Sequence, residues 1–68
     1  MNMNQKEDAR IQFTGMAVQG LLANRWYAEK MARDAKDDKE FVKMIATDAV
    51  EVADALIEEL ERTEVHHD

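Results

Sequence analysis

Between Phe41 and Leu60, apolar residues recur at the spacing of one face of an α-helix. At roughly 100° per residue they fill an arc of about 160°, wide enough for a long amphipathic helix. The apolar arc holds Phe41, Val42, Ile45, Ala46, Ala49, Val52, Ala53, Leu56, Ile57 and Leu60. The pattern predicts a helix over 38–63, opened by Asp37 as N-cap with Glu40 three residues later. The same helix places Arg62 four residues after Glu58, the spacing of a favourable ion pair.

Two further helices are predicted upstream, over 5–23 and 25–36, and a frayed tail over 64–68. Glu7 and Asp8 fall in the first turn of the first helix, where the helix dipole favours anions. Asn24 suits both the end of one helix and the start of the next. The sequence leaves open whether 25–36 is a separate helix or continues the first. The residues predicted to face inward in that segment are Tyr27, Ala28, Met31, Ala32 and Ala35.

The first predicted helix is apolar on two sides. One side carries Ala9, Phe13, Met16, Ala17 and Leu21, with Gly20 among them, and the other carries Ile11, Val18 and Leu22 with Gly15 between them. A surface helix of a monomer needs only one apolar stripe. We therefore expect copies of the chain to pair, with a dimer favoured. The predicted oligomer interface consists of Ile11, Gly15, Val18 and Leu22.

Size and composition agree with a single small helical domain spanning 1–68. A 68-residue chain with no Cys can neither bury a large core nor add disulfides, and it contains no Pro and only two Gly. The expected fold class is all-α. Two or three helices would form an antiparallel helical hairpin, completed by oligomerisation.

Charge is distributed unevenly along the chain, whose formal net charge is −6. Residues 25–43 hold six of the nine basic residues, whereas eight acids and one base follow from residue 44 onward. The net charge argues against direct nucleic-acid binding. No apolar run approaches the roughly 20 residues that span a bilayer, and the N-terminus lacks the apolar segment of a signal peptide. We expect no membrane partner and a cytoplasmic location.

Two groups of residues are candidates for binding. Trp26, Lys30 and Arg33 share one side of a helix, where an aromatic ring beside two cations could hold a nucleotide; packing of Trp26 in a core or interface is the alternative. The acidic face Glu51, Asp54, Glu58 and Glu61 could mimic the phosphates of DNA, or could simply be solvated.

Features typical of catalysis are missing from the sequence. It contains no Ser and no Cys, and it has no glycine-rich phosphate loop. His66 and His67 are adjacent, so they lack the four-residue spacing of helical zinc ligands. We expect no enzyme, no catalytic residue, no metal site and no cofactor.

Two segments resemble a known group of sequences. Phe13 to Asn24, ending GLLAN, and Ala49 to Leu60, carrying ADALIEEL, are similar to small uncharacterised proteins of bacteriophages and prophages. The resemblance implies a phage or mobile-element origin, and with it a location in the cytoplasm of a bacterial host cell. It also implies a helical hairpin core, and it implies no activity. This chain differs in its middle, where a charged stretch from Arg25 to Lys39 replaces a short linker that often contains Pro.

The expected function is that of a phage or mobile-element accessory protein, a non-catalytic module for protein interaction and oligomerisation that binds a host or phage protein. The alternative is an anti-defence protein. It would act by DNA mimicry through the acidic last helix, or by sequestering a nucleotide signal at Trp26, Lys30 and Arg33.

Overall fold

The computed structural model of the protein describes residues 1–65, with side chains through Thr63. This part of the chain folds into three helices and no strand: α1 (Met3–Ala23), α2 (Arg25–Asp34) and α3 (Asp38–Val65). The all-α class is confirmed. Helices α1 and α3 pack against each other as the antiparallel hairpin that the sequence predicts, and α2 lies in the connection between them.

Two ion pairs define the register of the hairpin. Lys6 Nζ lies 2.9 Å from a carboxylate oxygen of Glu61, and Arg10 Nε lies 2.8 Å from one of Asp54. In this register, residues of α1 near Phe13 lie beside residues of α3 near Ala53. Both pairs are solvent-accessible and therefore contribute little to stability.

The buried core is a single row along α3. Ile45, Ala49, Ala53 and Ile57 recur every fourth residue and are the only buried hydrophobic residues of the described chain. The two alanines leave room for the backbone of α1 to come close, because a small side chain keeps the helix axes near each other. No residue of α1 or α2 is fully buried.

The predicted apolar arc of α3 is wider than the core it forms. Five of its members are exposed: Val42, Ala46, Val52, Leu56 and Leu60. These five residues share the apolar periodicity of the core but are not buried in the single chain. One neighbouring helix covers only a narrow ridge of α3, and α2 is too short to cover the rest.

The N-terminus of α1 lies two residues before the predicted position, because a capping box forms there. The side chain of Asn2 accepts a hydrogen bond from the Gln5 backbone N–H at 2.8 Å, and the Gln5 side chain accepts one from Asn2. Glu7 and Asp8 consequently lie beyond the first turn, so the expectation that they interact with the helix dipole there is wrong.

Asn24 separates α1 from α2. Its backbone N–H donates to the Leu21 carbonyl, and its side-chain oxygen accepts from the Tyr27 N–H at 3.1 Å. One residue thus ends one helix and caps the next. Residues 25–34 form a separate helix, which ends two residues before the predicted position.

Helix α3 begins where predicted, with a modified cap. The Asp37 side chain accepts from the Glu40 N–H at 2.8 Å, but the Glu40 carboxylate accepts from the Lys36 N–H rather than from Asp37. Arg62 bonds Glu59 rather than the predicted Glu58. The helix continues through residues 64 and 65, which were predicted to be frayed.

Candidate interaction surfaces

A groove of about 260 Å³ runs between α1 and α3 on one side of the hairpin. All the residues that line it are apolar: Phe13, Met16, Ala17, Val52, Ala53 and Leu56. Met16 is 63% exposed and Leu56 is 43% exposed, although both belong to apolar stripes of their helices. The groove therefore combines large exposed side chains with alanines that leave space between them.

The groove begins where α2 stops covering α3. The Tyr27 hydroxyl donates to the Asp48 carboxylate, and Met31 borders a cavity that Met44 also lines. Met44 and Asp48 begin a row on α3 that continues every fourth residue through Val52, Leu56 and Leu60. The first two positions of this row have α2 beside them, whereas the last three are exposed.

The second apolar face of α1, which is the predicted oligomer interface, is only partly exposed. Ile11 is 75% exposed and Leu22 is also exposed, whereas Val18 is half-buried. No atom outside the local helix would lie within 4 Å of a Cβ added at Gly15. The large exposed side chains at this face are therefore Ile11 and Leu22, one on each side of an open glycine.

The structure brings Trp26 and Lys30 together. Lys30 Nζ lies 5.5 Å from the centroid of the Trp26 ring, a cation–π contact, and Arg33 is exposed one turn further along α2. Trp26 itself is 66% exposed, so it is not part of the core of the single chain. The lysine already occupies the position beside the ring that a base would need for stacking on that face.

The acidic face of α3 is partly neutralised within the chain. Asp54 accepts two hydrogen bonds from Arg10, which raise the pKa of the arginine, and Glu61 pairs with Lys6. Within the described residues, Glu51 and Glu58 make no such contact. Helix α3 therefore does not present a continuous column of unpaired carboxylates. DNA mimicry by this face stays a prediction.

The bond between Tyr27 and Asp48 joins α2 to α3. Burial of the phenol, and then the hydrogen bond and the charge of Asp48, raise the pKa of Tyr27 to about 12. The sequence predicts an inward-facing Tyr27 but gives no sign of its partner, which lies on another helix 21 residues away.

Other kinds of site find no support within the described part of the chain. No three His, Asp or Glu side chains there are arranged to hold a metal ion. None of the described helices combines the length and apolarity needed to cross a bilayer. The predicted inert pair His66 and His67 lies outside the described residues.

Comparisons with protein-family models find no match, and comparisons with curated proteins and with solved structures find no significant one. The resemblance of the GLLAN and ADALIEEL segments to phage and prophage proteins therefore stays a prediction.

Proposed function

We propose that this protein is a non-catalytic interaction module that acts as a homo-oligomer, with a dimer as its basic unit. The observation that carries the proposal is the imbalance between core and surface. Four hydrophobic residues are buried, two of them alanines, whereas nine large apolar side chains of the described residues are exposed. A core of this size is small for an independently stable domain, and small chains often complete their cores by association.

The surface area of the chain supports the same proposal. The chain exposes 5551 Å², whereas a compact monomer of 7.8 kDa exposes about 4,400 Å². The excess of about 1,150 Å² exceeds the roughly 800 Å² that each partner contributes to a standard protein interface. A second copy could therefore cover the excess.

The wider role that we propose is that of an accessory protein of a phage or mobile element, with a host or phage protein as the eventual partner. The resemblance of the GLLAN and ADALIEEL segments supports this origin. The proposed mechanism is binding alone, with no reaction to complete. The binding surface would be presented by the assembled oligomer rather than by one chain.

The experiment that tests the proposal is the absolute mass in solution by light scattering after size-exclusion chromatography. We expect a mass of twice the chain, held as the protein is diluted from about 100 µM to about 1 µM. A mass equal to that of one chain throughout this range would contradict the proposal.

A further inference from the structure

We propose that the groove between α1 and α3 is the self-association surface, and that the same groove of a second copy fills it, related by a two-fold axis near Met16 and Leu56. This inference rests on the proposed self-association and adds to it the surface through which the copies meet. In an alternative arrangement, the second face of α1 would form the contact.

The chemistry of the groove suits a second copy of itself. In a two-fold dimer the same patch lies on both sides of the contact, so the patch must be complementary to itself. The groove has both parts that this requires: Met16 and Leu56 project from it, and Ala17 and Ala53 leave space within it. The flexible side chain of Met can adjust to such a space.

The second face of α1 offers fewer adjoining apolar side chains for a contact. Its large exposed side chains, Ile11 and Leu22, lie eleven positions apart, or about 16 Å along the helix. Between them Val18 is already half-buried within the chain. A contact there would cover two separate side chains, whereas the groove places six apolar residues beside one another.

The surface is tested with two pairs of matched variants followed by light scattering. Met16→Glu and Leu56→Glu place a carboxylate in the groove, and Ile11→Glu and Leu22→Glu place the same charge on the second face of α1. All four positions are exposed in the single chain, so helicity by circular dichroism should be retained. We expect the groove variants to raise the dimer Kd at least 100-fold and the other two to change it less than about threefold.

The outcomes separate this inference from the proposed function. Dissociation by the Ile11 and Leu22 variants, with the groove variants still dimeric, would overturn the groove assignment and leave self-association standing. Dissociation by all four would also overturn it. A wild-type chain that is monomeric at every concentration would overturn both proposals.

Discussion

At the scale of single residues, Asn24 determines that the chain has three helices rather than two. Its backbone is extended, with φ −84° and ψ 103°, so the helical path of α1 cannot continue through it. The side chain then satisfies the Tyr27 N–H, which would otherwise lack a partner at the start of α2. Tyr27 is thereby placed where its hydroxyl reaches Asp48.

The raised pKa of Tyr27 predicts a loss of stability at alkaline pH. The folded chain keeps the phenolic proton up to about pH 12, whereas the unfolded chain releases it near pH 10. The stabilisation is therefore complete below pH 10 and disappears as the pH rises towards 12. We expect the difference in free energy of unfolding between wild type and Tyr27→Phe to fall across this range, measured by urea denaturation at fixed protein concentration.

The same variant should cost about 1–2 kcal/mol at pH 8, because Asp48 loses a hydrogen-bond donor. All other ionisable groups are the same in both proteins, so their contributions cancel in the difference. Wild-type and Tyr27→Phe stabilities that fall in parallel with pH would show that the hydroxyl makes no pH-dependent contribution.

At the scale of elements, the narrow core of α3 predicts a sharp contrast between neighbouring apolar positions. Ile45 is 5% exposed and Val42 is 64% exposed, although both belong to the same apolar arc. We expect Ile45→Ala to lower the free energy of unfolding by about 2–4 kcal/mol, because it leaves a cavity. Val42→Ala should change it by less than about 0.5 kcal/mol. Equal costs in denaturation experiments would mean that another surface buries Val42.

The same contrast shows what the sequence could predict. The helical class and the start of α3 followed from periodicity and from Asp37, because these signals are local, whereas the sequence left open whether α2 is separate from α1. The width of the core did not follow, since it depends on how many neighbours cover α3. The contact of Trp26 with Lys30 was predictable from four-residue spacing, whereas the groove joins residues of two distant helices and has no local signal.

The open surroundings of Gly15 predict that a larger residue is tolerated there. Neither Gly15 nor Gly20 has a neighbouring atom within 4 Å of an added Cβ, so neither glycine serves a close helix approach within the chain. We expect Gly15→Ala to raise the free energy of unfolding by about 0.5–1 kcal/mol, because alanine favours helix. Dimer mass should be unchanged. A loss of dimer in this variant would place a second copy against Gly15 and support the second face of α1 instead.

At the scale of the whole molecule, the chain is elongated for its length. Its radius of gyration is 14.4 Å, whereas a compact domain of this length has one of about 11 Å. The hairpin extends 47 Å along its longest axis and 15 Å along its shortest. A slab of two helices has two broad sides and cannot bury both of them, so the geometry favours a partner on at least one.

If the dimer is the folded unit, its melting temperature must depend on protein concentration, because association stabilises the folded state by mass action. A tenfold increase in concentration adds about 1.4 kcal/mol per dimer, which should raise Tm by about 5 °C for two chains of this size. Thermal melts followed by circular dichroism from about 2 to 200 µM measure this shift. Leu56→Glu should melt at a lower temperature, with a Tm independent of concentration over the same range. A wild-type Tm that also stays constant would mean that each hairpin folds alone, with its apolar groove open to solvent.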